Sequence, residues 1–93
     1  MIISFGCENA ELLFNDESAP ELPPAIHKTA RRKLVMLDIA KRLDDLRVPP
    51  GNRLEALKGD REGWHSIRIN DQWRICFRWT DSGPAEVEIL DYH

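Results

Sequence analysis

The chain has 93 residues, of which 42% are hydrophobic and 31% are charged, with a formal net charge of −3 at pH 7. This length predicts a single domain, residues 1–93, with one core and no space for a large cofactor-binding fold. The composition excludes a disordered chain, and no apolar run reaches the roughly 20 residues that span a bilayer. The N-terminal residues lack the basic start of a secretion signal, which predicts a cytoplasmic protein with reduced cysteines.

The positive charge is concentrated in the middle of the chain. All 13 lysines and arginines lie between Lys28 and Arg78, together with seven acidic residues, so this span carries a net charge of +6. Charges farther away than about 8 Å are largely screened at physiological salt, so acidic ends do not cancel a local basic surface. The span can therefore bind phosphate groups. For the cations on the predicted helix, an ordinary solvated face is the simpler interpretation.

The N-terminal part of the chain contains a predicted strand and a short predicted helix. Residues 1–5 form an apolar run that indicates a strand of the sheet. Residues 8–15 carry apolar side chains on one side, which predicts a helix capped by Asn9 or by an acidic residue near its start. Three prolines interrupt the pattern in residues 16–24, which predicts a loop.

A long helix is predicted to begin at Pro24, because proline fits the first turn of a helix. Apolar residues then recur with the 3.6-residue period of a helix that packs on a sheet. The stripe consists of Ile26, Ala30, Leu34, Leu37 and Ala40, widened by Met36, Ile39, Leu43 and Leu46. Basic residues, including Lys33, occupy mainly the other positions. Pro49-Pro50-Gly51 is predicted to end the helix, and residues 51–63 to form a loop with a short structured piece.

Residues 64–93 show the alternation of a three-stranded antiparallel meander. Every second residue in each strand is apolar and is predicted to face the core. The intervening positions are predicted to lie on an open face, and they include Ser66, Arg68, Arg74, Cys76 and Arg78. Polar turns at 70–72 and 81–84 join the strands. The order of elements predicts an α+β domain with its helices on one face of the sheet.

The residues with catalytic potential lie on this open face and at the end of the chain. Arginine forks bind phosphate through paired hydrogen bonds, and tyrosine and histidine transfer protons or stack on bases. Such groups suit RNA cleavage by transesterification, in which the 2′-hydroxyl attacks the adjacent phosphate and no metal is required. The set consists of Arg68, Arg74, Tyr92 and His93, with Lys58 and Arg61 nearby in the sequence.

The same residues also allow simpler interpretations. Arg74 and Arg78 can pair across strands with Glu86 and Glu88, and Tyr92 can be a packed aromatic residue at the sheet edge. A metal site is not predicted, because the three histidines have no paired spacing and the sequence has no CxxC or HExxH motif. Catalysis by a cysteine needs a neighbouring histidine base, and the sequence alone does not place one.

Two segments resemble the HigB toxins of type II toxin–antitoxin systems, which belong to the RelE/ParE superfamily. They are PPGNRLEALKGDREGWHSIRINDQWRICFRW and the C-terminal VEILDYH. The resemblance implies a RelE-like α+β fold with two N-terminal helices packed on a small antiparallel sheet. It also implies a ribosome-dependent mRNA interferase, which is an endoribonuclease that cleaves message during translation without a cofactor.

The resemblance further assigns roles to individual residues. The implied catalytic residues are His93, Tyr92, Asp91, Arg74 and Arg68. The implied RNA- or ribosome-binding residues are Lys58, Arg61 and Arg53. In this assignment His93 is the leading general acid or base, Tyr92 orients it or stacks on a base, and Asp91 orients the C-terminal segment. The two arginines hold the scissile phosphate.

Partners are implied as well. The resemblance implies a cognate HigA-type helix-turn-helix antitoxin, with the ribosome and mRNA as further partners. Operator DNA is then contacted only indirectly, through the antitoxin, and no membrane contact is implied. Two alternatives stay open: a ParE-like gyrase poison, and a non-catalytic protein-binding module of the same fold. A gyrase poison does not need Tyr92 and His93, and a binding module tolerates the loss of His93.

Overall fold

The computed structural model describes residues 1–92, and His93 lies outside the described residues. Two helices come first, α1 (Glu8–Phe14) and α2 (Pro24–Ile39). Four strands follow, which are β1 (Glu55–Ala56), β2 (Trp64–Arg68), β3 (Trp73–Thr80) and β4 (Gly83–Asp91). They form one antiparallel sheet in the order β1-β2-β3-β4. The predicted α+β class, with two helices and a small antiparallel sheet, is confirmed. Within residues 1–92, no helix is both long and apolar enough to cross a bilayer.

The core lies between the two helices and one face of the sheet. The predicted stripe of α2 is buried as expected at Ile26, Ala30, Leu34, Leu37 and Ala40. It packs with α1 residues such as Leu13 and with strand residues such as Phe77 and Val87, all fully buried. Full burial of a side chain of this size contributes roughly 1.5–3 kcal/mol, so this layer supplies much of the stability.

Helix α2 ends earlier than predicted. It stops at Ile39, and Ala40 is extended, with φ −64° and ψ 130°. The Asp45 carboxylate accepts two backbone N–H groups just after this break, at 2.9 and 3.0 Å, and caps a separate 3₁₀ helix at Leu43–Arg47. Those hydrogen bonds lower the pKa of Asp45. The prediction of one helix reaching Pro49-Pro50-Gly51 is therefore wrong, because an aspartate can terminate and restart a helix without a proline.

The N-terminal predictions hold in part. Helix α1 forms where predicted, but its N-cap residue is Cys7, with no side-chain hydrogen bond at the cap, so capping by Asn9 is wrong. The strand predicted for residues 1–5 does not form. These residues run beside β4 through one parallel bridge, Phe5 to Val87. The positive φ of 53° at Glu86 lies at a bulge in the pairing of β3 with β4.

The second face of the sheet is less open than the alternation predicts. Ser66 and Cys76 are fully buried, and Arg74 is only 8% exposed. The short strand β1 pairs with β2 beside Ser66, and Tyr92 lies on the same side of the sheet. The far end of the face, around Arg78, is exposed as predicted. Alternation assigns a side chain to a face, and the connecting segments decide whether that face is covered.

Candidate active site

A cavity of about 400 Å³ lies on this second face, at the end of the sheet where β2, β3 and Tyr92 meet. Its lining residues are Arg53, Glu55, Arg68, Asn70, Asp71, Arg74 and Tyr92. The strand register explains the grouping, because Arg68 pairs with Arg74 across β2 and β3, and Trp73 pairs with Asp91 across β3 and β4. The sheet thus brings two arginines and the end of β4 to one place.

The guanidinium group of Arg74 is held by contacts on several sides. Its Nε donates to the Ser66 hydroxyl at 2.8 Å, and one terminal nitrogen donates to the Arg53 carbonyl at 2.6 Å. The other terminal nitrogen lies 3.7 Å from the Glu55 carboxylate. With its side chain only 10% exposed, Arg74 is a fixed cation at the base of the cavity.

The segment that supplies the Arg53 carbonyl is anchored from below. Arg53 has a left-handed φ of 45° after the short 3₁₀ helix Pro50–Asn52. The Asn52 side chain is fully buried and donates to the Leu46 carbonyl at 3.1 Å. Its amide oxygen accepts a hydrogen bond from Lys33 of α2. The buried asparagine therefore ties the cavity wall to the helix layer.

The prediction that the basic residues of α2 lie on a solvated face is wrong for Lys33. Lys33 is 5% exposed and directed at Asn52. Burial lowers the pKa of Lys33, and the neighbouring charges of Arg32 and Arg68 lower it further. A buried lysine costs free energy unless it is hydrogen-bonded, and Asn52 supplies that partner.

Arg68 is more accessible than Arg74. Its side chain is 32% exposed and pairs with Asp71, which is 99% exposed in the turn between β2 and β3. Asn70 shapes the same turn, because its side-chain oxygen accepts the backbone N–H groups of Gln72 and Trp73 at 2.9 and 2.8 Å. The cavity therefore has one fixed guanidinium group, that of Arg74, and a more accessible one, that of Arg68, which pairs with an exposed carboxylate.

Tyr92 lies on the same side as the arginines, as its position in the alternation predicts. The Cys76 thiol donates to its hydroxyl at 3.7 Å. Burial, followed by the contact with Cys76, raises the pKa of Tyr92, so the phenol is a proton donor at neutral pH. Burial also raises the pKa of Cys76. Cys76 is thus a buried neutral thiol, and it forms no disulfide with Cys7.

The C-terminal segment is attached to the turn between β2 and β3. The Gln72 side chain donates to Asp91 at 3.0 Å, and the Tyr92 backbone N–H donates to the Gln72 carbonyl. These bonds fix the end of β4 beside the cavity. The assigned His93 follows directly but lies outside the described residues.

Two of the assigned cations do not line the cavity. Lys58 is exposed and precedes the short 3₁₀ helix Gly59–Arg61. Arg61 lies 4.4 Å from the centroid of the Trp64 ring and pairs with Glu88 at 3.2 Å. Arg53, by contrast, lies on the cavity wall.

The suggested cross-strand pairs are correct in one case and wrong in the other. Arg78 pairs with Glu86 at 2.9 Å, as suggested. Arg74 pairs with Glu55 instead of a β4 carboxylate. The reason is that β1 brings Glu55 against β2, opposite Ser66, and so places a closer carboxylate beside Arg74.

Several residues of the cavity were not identified from the sequence. Glu55 belongs to a two-residue strand, which is too short to show alternation. Asn70 and Asp71 were interpreted only as turn formers, because Asn and Asp are common turn residues. The sequence does not show that they also line the cavity. Within residues 1–92, no group of three or more His, Cys, Asp or Glu side chains is placed to hold a metal ion. The described cavity offers guanidinium groups, carboxylates and one phenol.

Comparison with known proteins identifies the family to which this fold belongs. A family model described as RelE-like toxin of type II toxin–antitoxin system HigB matches residues 4–93. Toxin HigB-1 of Vibrio cholerae is 43% identical over 94 residues, covering all of this chain and 98% of the relative. Endoribonuclease HigB of Proteus vulgaris is 31% identical over the full length of both chains. An uncharacterized protein of Haemophilus influenzae is 34% identical over 73 residues, covering 78% of this chain and 71% of that protein.

These findings define a RelE-like toxin. The chain belongs to the HigB-like family of type II toxin–antitoxin toxins. It is therefore the toxin component of such a system, and an antitoxin is its partner.

Proposed function

We propose that the protein is an endoribonuclease that cleaves mRNA on translating ribosomes in the cytoplasm. The observation that carries the proposal is the cavity in which Arg68 and Arg74 lie beside the Tyr92 phenol. Two guanidinium groups suit a phosphodiester, because each offers parallel N–H donors to phosphate oxygens. The Proteus vulgaris relative, named Endoribonuclease HigB, supports this activity.

The reaction is an internal transesterification. The 2′-hydroxyl of one nucleotide attacks the adjacent phosphorus, the new O2′–P bond forms, and the P–O5′ bond breaks. One proton leaves the 2′-hydroxyl and one proton reaches the departing 5′ oxygen, which gives a 2′,3′-cyclic phosphate and a 5′-hydroxyl. Arg68 and Arg74 stabilise the negative charge that develops on the phosphate oxygens. Arg74 is held in position before the substrate arrives, so little reorganisation is needed.

The proton transfers are assigned to the end of the chain. His93 is the leading general acid or base, because imidazole titrates near neutral pH. Tyr92 keeps its proton at neutral pH, since its pKa is raised, and it orients the histidine or stacks on a base. Asp91 and Gln72 hold the end of β4 beside the cavity, so this segment is oriented toward the same phosphate.

The remaining cations position the message. Arg53 lies on the cavity wall, and Lys58 and Arg61 lie beyond it on the same segment of chain. We assign these three residues to contacts with RNA or the ribosome. Residues 1–93 act as a single domain in this proposal, and the HigA-type helix-turn-helix antitoxin carries any contact with operator DNA.

Primer extension on a defined message in a translating extract tests the proposal. Wild-type protein is expected to produce cuts within ribosome-bound codons, whereas Arg68→Ala and His93→Ala remove them. Arg78→Ala is the matched control, because Arg78 lies on the same sheet face but outside the cavity. It is expected to cut like the wild type, and thermal melting shows whether each variant is folded.

The opposite result has a definite meaning. An intact message with wild-type protein and unimpaired translation contradicts the nuclease. A gyrase supercoiling assay then decides whether the protein poisons gyrase. Activity that persists in a folded His93→Ala variant shows instead that the assignment of the acid or base is wrong.

A further inference from the structure

Each of the two arginines at the centre of the cavity has a carboxylate of the same cavity as its partner. Arg68 pairs with Asp71, and Arg74 lies 3.7 Å from Glu55. A carboxylate presents oxygen acceptors to a guanidinium group in much the same geometry as a phosphate. An RNA phosphate that enters the cavity must therefore compete with these side chains.

The two carboxylates lie further out than the guanidinium groups they contact. Glu55 and Asp71 are 58% and 99% exposed, whereas the side chains of Arg74 and Arg68 are 10% and 32% exposed. The acids thus stand between the cations and solvent. Ion pairs that solvent reaches are weak. A phosphate that the ribosome holds in the cavity can therefore displace the two carboxylates. Free RNA must displace them as well, and this reduces its net attraction to the arginines.

The charge of the cavity follows from the same residues. Its lining contains three arginines and two acids, and the acids offset most of the positive charge that attracts RNA. We propose that Glu55 and Asp71 are internal counter-anions that keep the free protein from holding RNA, so that cleavage requires a message presented by the ribosome. This inference rests on the proposed nuclease function, and it makes the two acids determinants of substrate class.

The proposal predicts a specific dependence on salt. Each phosphate of single-stranded RNA that a cation neutralises contributes about −0.7 to the slope of log K against log salt. In the wild type, each displaced carboxylate stays close to its arginine and reduces this neutralisation. With Glu55→Gln and Asp71→Asn, both arginines neutralise phosphate fully, so the affinity and the steepness of the slope increase together.

The experiment measures binding without cleavage. A short single-stranded RNA with methylated 2′-hydroxyls is titrated with Glu55→Gln, Asp71→Asn and the double variant, using fluorescence anisotropy at several salt concentrations. The double variant is expected to bind about tenfold more tightly at low salt, with a slope steeper by about 1. Glu86→Gln is the matched control, because Glu86 is 50% exposed and pairs with Arg78 outside the cavity. It is expected to bind like the wild type.

Two results overturn the inference. Affinities and slopes that match the wild type and the Glu86→Gln control show that the acids do not oppose RNA. Loss of cleavage by Glu55→Gln on ribosomes, with unchanged RNA affinity, shows that Glu55 takes part in the chemistry instead.

The inference and the proposed function fail in different ways. If wild-type protein cleaves message on ribosomes but the two substitutions leave RNA affinity unchanged, only the inference fails. If wild-type protein does not cleave and Arg68→Ala binds the RNA as well as the wild type, the proposed function fails, and this inference fails with it.

Discussion

Arg74 and Arg78 lie four residues apart on the same face of β3, yet their surroundings differ. Arg74 is almost enclosed and contacts Ser66, the Arg53 carbonyl and Glu55. Arg78 is 47% exposed and pairs only with Glu86 among the described residues. The strand itself does not cause this difference. It arises because β1 and Tyr92 lie at one end of the sheet face and leave the other end open.

The comparison shows what burial adds to a positive charge. A fixed guanidinium group can stabilise a transition state without reorganisation, whereas an exposed one is screened and mobile. The same residue type on the same strand thus has a catalytic environment at one end and an ordinary surface environment at the other. The substitutions below test this contrast, beginning with the largest expected effect.

Replacing the fixed cation is expected to have the largest effect. Arg74→Lys keeps the charge but loses the planar fork, so it cannot reproduce the contacts to Ser66 and Arg53. The cleavage rate on ribosome-bound message is expected to fall by about 100-fold, the cost of losing one preorganised donor. Arg78→Lys is expected to leave the rate unchanged. Equal cleavage rates for Arg74→Lys and Arg78→Lys would contradict the difference between the two ends of the sheet face.

The support beneath the cavity is expected to matter mainly for stability. Asn52→Ala removes a fully buried side chain that bonds to the Leu46 carbonyl and to Lys33. Leaving these groups unsatisfied is expected to lower the free energy of unfolding by about 3 kcal/mol. Urea unfolding measures the loss, with Asn15→Ala, at an exposed position, as the control. A loss below about 1 kcal/mol contradicts the anchoring role.

A pH-dependent effect is expected at His65, which pairs with Phe77 beside the core. Its Nδ1 is buried and has no hydrogen-bond partner within residues 1–92. Burial, together with the charge of Arg47, lowers the pKa of His65 below its ordinary value. The unfolded chain therefore binds a proton more readily, so stability is complete above about pH 6.5 and decreases as the pH falls below that value.

The His65→Phe variant isolates this contribution. Urea unfolding between pH 7.5 and pH 5 is expected to show a smaller loss of stability for the variant than for the wild type. Parallel curves for the two proteins would show that the histidine is equally protonated in the folded and unfolded states.

The smallest effect is expected at the open end of the sheet face. Arg78→Ala breaks the ion pair with Glu86, in which both side chains are about half exposed. Such pairs contribute about 0.5 kcal/mol or less, so unfolding in urea is expected to change little. A loss of more than about 2 kcal/mol would mean that the two ends of the face are equally important for stability.

Much of the fold follows from local patterns in the sequence. The alternation from Trp64 onward predicts the three long strands and their polar turns, and the helical stripe predicts the buried side of α2. These patterns depend on near neighbours in the chain. The end of α2 was not predictable in the same way. The Asp45 carboxylate accepts the backbone N–H groups of Lys41 and Arg42, which a continuing helix would need for its own hydrogen bonds.

The candidate site was predictable only in part. Alternation places Arg68, Arg74 and Tyr92 on one face, and the structure brings them to one cavity. The buried state of Arg74 depends on Glu55 and on the Arg53 carbonyl, which are distant in the sequence and come together only when β1 pairs with β2. Long-range packing of this kind leaves no periodic signal.

The central claim is that this cavity promotes attack of an RNA 2′-hydroxyl on its own phosphate. The most direct test is primer extension on one ribosome-bound message, prepared with ribose throughout or with a single 2′-deoxynucleotide at the mapped cleavage position. Wild-type protein is predicted to cut the ribose message and to leave the substituted position intact. Equal cutting of both messages would contradict the account, because another nucleophile would then be breaking the bond.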